Sequence, residues 1–162
     1  MDTSALVALA VFIALNLTAA ASGAVFRPGS WYASLDKPSW VPPNWAFPLV
    51  WSVLYAMITA SGWLVWQEAG PGALPALSIY VLSLVLNAAW SGLFFGWRRM
   101  NLAMIDVVLL WLSIAAVIAL FWPIRPLAAL LLVPYLVWVT IASALNLRMI
   151  QLNRPTAANA AE

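Results

Sequence analysis

Five long apolar stretches, separated by short polar breaks at about residues 27–44, 68–75, 98–101 and 123–126, constrain this chain more than any other feature of its sequence. A helix needs about 20 mostly apolar residues to cross about 30 Å of hydrocarbon, and runs of that length fall at about residues 4–26, 45–67, 76–97, 102–122 and 127–152. Backbone amides and carbonyls find no partner in lipid, so membrane-crossing segments fold as helices or close into barrels, and barrel strands read as alternating segments of about ten residues. The runs here are longer and continuously apolar. The expected fold is therefore all-α, a polytopic membrane protein built as a bundle of five transmembrane helices. One domain is expected over residues 1–155, with a disordered polar tail at 156–162. Composition agrees, with 65% hydrophobic and 7% charged residues against about 25% charged in soluble domains.

The first run ends in small residues, Ala20, Ala21, Ser22, Gly23 and Ala24, as a cleaved signal would. It begins with Asp2, however, has no Lys or Arg before Arg27, and is long enough to span, so it is expected to remain as the first helix. Five spans place the termini on opposite sides. Arg27, Lys37, Arg98, Arg99, Arg148 and Arg154 then share one face and Arg125 lies on the other. The excess of basic residues in cytoplasmic loops orients the chain with its carboxyl terminus and long first loop in the cytoplasm and its amino terminus outside, as in a bacterial cell-envelope membrane. The seven basic residues are too few and scattered for a nucleic-acid surface.

The chain has neither Cys nor His, which removes thiolate nucleophiles, thiolate or imidazole metal ligands and the usual neutral-pH general base. No metal site, required cofactor or firm catalytic residue is expected. Tryptophans 31, 40, 45, 66, 97 and 122 fall near helix ends, where interfacial aromatic anchors belong. Phe47, Trp51 and Tyr55 recur every fourth residue and occupy one helix face, either as a packed interface or as a wall facing a ligand. On the third helix Asn87, Trp90, Ser91 and Phe94 share a face. Ala88, Gly92 and Gly96, one position around, form a small-residue ridge suited to close packing within the bundle or between two copies. The fifth helix presents Tyr135, Trp138, Ala142, Leu145 and Met149 on one side, with Pro134 inside the span and Asn146 expected to cap or cross-link helices. Asp106 is the one ionisable group well inside a span. It is read as a shallow carboxylate near basic side chains, with a proton pathway as the alternative.

Ordered motifs over nearly the whole chain make it resemble the TspO/MBR family, the tryptophan-rich sensory proteins and the translocator proteins or peripheral-type benzodiazepine receptors. They are TrpTyr at 31–32, LysProSerTrp at 37–40, ProProAsnTrpAlaPheProLeuValTrp at 42–51, LeuTyr at 54–55, LeuAsnAlaAlaTrp at 86–90, PhePheGly at 94–96, ProTyrLeuValTrp at 134–138 and LeuAsn at 145–146. The resemblance implies a homodimer of five-helix bundles in the lipid bilayer. It implies a cavity open toward the first loop that takes protoporphyrin IX and haem, with sterol and benzodiazepine-type ligands besides. The matching cavity positions are Trp31, Trp40, Phe47, Trp51, Tyr55, Asn87, Trp90, Trp138 and Ala142. Light-dependent porphyrin degradation, described for some bacterial relatives, would fall to Trp51 and Trp138. One departure concerns sterol. The first basic residue after Tyr135 is Arg148, too distant for the proposed cholesterol pattern, whereas Arg27, Tyr32 and Leu35 fit its reverse.

The leading expectation is a membrane tetrapyrrole receptor, sensor or trafficking factor whose rings from the second and fifth helices surround an apolar chamber. A proton-coupled small-molecule transporter using Asp106 is the alternative, and a structural partner of other membrane proteins the third reading.

Overall fold

The computed structural model describes residues 3–154; the expected polar tail at 156–162 lies outside the described residues. Five long helices carry the apolar runs: α1 (Thr3–Val25), α3 (Ala46–Ala69), α4 (Leu74–Ser91), α5 (Met100–Phe121) and α6 (Pro126–Leu152). A short helix, α2 (Ser30–Ser34), gives the first loop its shape. The protein is thus an all-α, multi-pass integral membrane protein. Each long helix satisfies its own backbone, and its outward face carries Leu, Val and Ile side chains that lipid would solvate.

Local sequence sets the helix ends. Proline stands in the first turn of α4 and of α6, where the missing amide costs nothing. Helical hydrogen bonding continues from Ala46 to Gly96, yet the chain reverses within it at a 3-10 turn, Gly70–Ala73. Gly70 makes the reversal at φ 51°, a backbone region open mainly to glycine. Beyond α4, Gly92–Gly96 forms a single π-helical turn. Arg98 follows at φ 56°, and the Arg99 amide donates back to the Leu93 carbonyl at 2.9 Å, closing the end in the manner of a Schellman motif.

Helix contacts close a ring in the order α1, α3, α6, α5, α4 and back to α1. Consecutive helices α3 and α4 are thus separated by α1 and meet across the interior. Polar side chains pin the ring where apolar packing alone does not distinguish one helix face from another. Asn16 Nδ2 donates to Tyr80 Oη at 2.7 Å, and Tyr80 Oη donates to the Ile58 carbonyl at 3.2 Å, joining α1, α4 and α3. Ser61 Oγ donates to the Ala128 carbonyl at 2.8 Å, fastening α3 to α6. Asn146 Nδ2 donates to the Met100 carbonyl at 3.1 Å, the helix cross-link expected of this residue. Each such bond is worth about 0.6 kcal/mol within a membrane, enough to bias rotation and register. The Arg125–Glu68 pair, 3.0 Å apart with both side chains about half exposed, ties the two turns at one end; being solvated, it contributes under about 1 kcal/mol.

Candidate ligand-binding site

The four-residue spacing on α3 delivers three half-buried rings to the interface with α6. Phe47 meets Trp138 edge-on, with centroids 5.8 Å apart at 71°. Trp51 lies 5.2 Å from Tyr55 and 6.0 Å from Tyr135, the second contact again edge-on at 69°. Edge-to-face geometry places the positive rim of one ring against the negative face of the next and adds about 0.5–1.5 kcal/mol per pair beyond burial. Tyr55 Oη donates to Asn87 Oδ1 at 2.6 Å, so the amide of α4 closes this cluster. The Tyr135 hydroxyl is buried and has no hydrogen-bond partner.

A second cluster caps the loop end. Trp90 stacks on Phe94 at 5.0 Å and 20° and meets Phe95 edge-on at 5.7 Å. Helix α2 folds over these rings, placing Trp31 5.9 Å from Phe94 and Tyr32 5.4 Å from Phe95. Burial raises the Tyr32 phenol above its ordinary value of 10.0, and Lys37 Nζ sits 4.8 Å over its ring, a cation–π contact. The loop is clasped to the end of α6. The Asp36 amide donates to Asn153 Oδ1 at 3.0 Å and Asn153 Nδ2 donates to the Asp36 carbonyl at 2.9 Å.

The structure therefore gathers Phe47, Trp51, Tyr55, Asn87 and Trp138 into one cluster and Trp31 and Trp90 into the next, with Trp90 packed against both. Ala142 is half-buried on the Trp138 side of α6, and Trp40 is 50% exposed on the loop, outside either cluster. Tyr135 joins the site; its helical phase, shared with Trp138, and its motif at 134–138 marked it, though not as a cavity position. Phe95 and Tyr32 join as well. The π turn rotates Phe95 away from the α-helical spacing, so no α-periodicity in the sequence points to it.

One expectation changes. The rings of α3 and α6 do not stand around an open chamber; they pack on one another at the distances given above. An apolar groove of about 530 Å³ opens instead on the outer face between α3 and α6, with Leu49, Val53, Met57, Val133, Val137 and Trp138 among its walls. A second hollow, about 370 Å³, lies in the first loop beside Tyr32 and Lys37. Asp106 is 7% exposed and, among the described residues, forms no ion pair; Arg98 and Arg99 at the end of the neighbouring turn are exposed. The glycine ridge meets one of its two expected uses, close packing within the bundle: the Phe26 ring lies over Gly92 and Gly96, so close that a Cβ on Gly96 would stand 2.8 Å from Phe26 Cδ1.

Aromatic walls and an apolar groove suit a flat hydrophobic guest. Firm axial ligation of an iron would fall to Tyr or Met, since the chain has no His or Cys; among the described residues no group of His, Cys, Asp and Glu could hold a metal. The residues thus fit a metal-free macrocycle better than haem.

The family model described as TspO/MBR matches residues 6–152. The chain is 44% identical over 146 residues to the protein CrtK of Rhodobacter capsulatus, covering 89% of this chain and 91% of that protein. It is 40% identical over 148 residues to the tryptophan-rich sensory protein of Cereibacter sphaeroides, covering 90% and 92%. It is 42% identical over 119 residues to the translocator protein of Homo sapiens, covering 72% and 70%.

Proposed function

This chain belongs to the TspO/MBR family, and from that premise we propose that it is a membrane receptor or sensor that binds a flat, apolar tetrapyrrole, protoporphyrin IX before haem, and regulates or traffics it. The observation that carries this reading is the aromatic cluster itself. Phe47 with Trp138, and Trp51 with Tyr55 and Tyr135, form two ring groups along the α3–α6 interface, and Trp138 also borders the outer groove. A planar macrocycle entering there parts edge-on ring contacts and replaces them with stacking of similar strength, about 0.5–1.5 kcal/mol per ring. The unpartnered Tyr135 hydroxyl and Trp90 indole N–H supply donors for the guest's polar edge.

Sterol and benzodiazepine-type ligands are further guests on the same reading. Photo-oxidative porphyrin degradation would use the ligand's own light absorption, with Trp51 and Trp138 as the oxidisable indoles. In a bacterial inner membrane, the basic residues Arg27, Lys37, Arg98, Arg99, Arg148 and Arg154 would favour a cytoplasmic loop end and an outer amino terminus. Two copies would pair along α4, through Ala88 and the ridge that Phe26 overlies.

Titration of the purified protein with protoporphyrin IX tests the binding. Saturable quenching of tryptophan emission is expected, with affinity about tenfold weaker in Trp51→Ala and in Trp138→Ala, a loss of about 1.4 kcal/mol. Quenching that never saturates, or that neither substitution weakens, overturns the reading. Trp138→Phe separates degradation from binding: light-dependent product formation at the wild-type rate removes that indole from the photochemistry. A proton-coupled carrier stays as a second reading because Asp106 is buried without an ion pair. Counterflow in proteoliposomes that survives Asp106→Asn removes it.

A further inference from the structure

The aromatic site has one end whose hydrogen-bonding capacity the protein leaves unused. Asp106 Oδ2 and Asn146 Oδ1 are buried acceptors with no donor, on side chains only 7% and 1% exposed. Two contacts between α5 and α6 fix their relative level: Asn146 Nδ2 to the Met100 carbonyl at 3.1 Å, and Trp111 Nε1 to Thr140 Oγ1 at 2.8 Å. Asp106 stands between Met100 and Trp111 on α5, so it is level with the stretch of α6 from Thr140 to Asn146. On the α4 side, Ala103 belongs to the cluster of Phe94, with Trp90 packed against it. One turn deeper along these antiparallel helices, Asp106 reaches the level of Trp90.

Among the described residues nothing answers that carboxyl group. Arg98, Arg99 and Arg148 are exposed at the helix ends, and among the described residues the ion pair formed is Arg125–Glu68, at the opposite end of the bundle. A carboxylate removed from water without a counter-charge is costly, and in membrane spans such groups mark the path or seat of a ligand. The unused atoms on Asp106 and Asn146 are acceptors, so the complement is a donor. Two oxygens are too few for the shell of a hard metal ion. An ammonium group offers several N–H donors and a charge, and nearby indole and phenol faces favour a cation further.

We propose that Asp106 and Asn146 receive the protonated amine of a flat, apolar ligand whose ring system lies among Trp90, Trp51 and Tyr55. This rests on the reading of the aromatic cluster as a ligand site and adds hydrophobic organic cations to the guests that site takes.

The test compares 1-pyrenemethylamine with its neutral analogue 1-pyrenemethanol, by tryptophan quenching of the full chain in zwitterionic nanodiscs, which give the cation no lipid charge to follow. The wild type is expected to bind the amine about tenfold more tightly than the alcohol, and Asp106→Asn to bring the two within about twofold, both still saturable. Saturable alcohol binding shows that the variant is folded. An amine preference that persists in Asp106→Asn, or is missing from the wild type while protoporphyrin still saturates, overturns this inference alone. If neither pyrene probe nor protoporphyrin saturates, the ligand-site reading fails and this inference with it.

Discussion

Gly62 and Gly96 both lie against aromatic rings, and their tolerance of one added methyl group differs for a reason that burial makes plain. A Cβ on Gly62 would stand 2.7 Å from Phe12 Cε1 and 3.0 Å from Tyr80 Cζ. Phe12 is 6% exposed and Tyr80 is 1% exposed, and the Tyr80 hydroxyl is held by both Asn16 and the Ile58 carbonyl, so neither ring has room to retreat. Gly62→Ala is expected to destabilise by about 1–3 kcal/mol, the usual range for overpacking. On Gly96 the close neighbour is Phe26, which is 37% exposed and can swing outward, so Gly96→Ala is expected to cost under about 1 kcal/mol. Denaturation of both variants in one detergent checks the order. Equal loss in the two would show that the Phe12 ring is free to move.

Helix α2 and its clasp behave as one element. The short helix buries Tyr32 against Phe94 and Phe95, and the loop that carries it is fastened at Asn153 through two hydrogen bonds to the Asp36 backbone. Asn153→Ala removes both bonds and the link from Asn153 Nδ2 to the Met149 carbonyl, leaving the ring contacts in place. At about 0.5–1.5 kcal/mol for each bond to the loop, local opening should become roughly tenfold more frequent while global stability changes little, since α2 is a small part of the core. Hydrogen exchange over residues 30–36 reads this directly. Exchange there at the wild-type rate would mean that Tyr32 and Trp31 alone hold the loop down. Because α2 covers Trp90 and Phe94, the same variant tests whether access to the second cluster is governed from this side.

At the scale of the molecule, the ring order separates α3 from α4 by α1 and leaves their interior faces to meet through Tyr55, Asn87 and Tyr80. The outer face of α4 is exposed and apolar at Val81, Leu82 and Val85, continuing into Ala88 and the ridge under Phe26. If two copies pair there, Gly92→Leu displaces Phe26 and fills the ridge, and native mass spectrometry in detergent should show the monomer mass. Phe26→Ala, which uncovers the glycines instead of filling them, is the companion variant and should retain the dimer. A dimer that persists in Gly92→Leu takes this ridge out of the interface.

Helix number and type were legible in the sequence because helical hydrogen bonds are local. In lipid each apolar run must satisfy its own backbone, so length and apolarity alone dictate five helices, and four-residue spacing alone places Phe47, Trp51 and Tyr55 on one face. How the helices stand to one another was not legible. Lipid-facing and inward-facing side chains are equally apolar, so periodicity carries little information about which face meets which neighbour. That decision came from tertiary contacts: the Asn16–Tyr80 and Asn146–Met100 bonds, the π turn that re-aims Phe95, and the Phe26 ring laid over glycines that the sequence alone left open to a second copy. The packing of Trp51 on Tyr135, and the lack of an ion pair at Asp106 among the described residues, belong to the same class. Both depend on distances between helices, which no pattern within a single helix encodes.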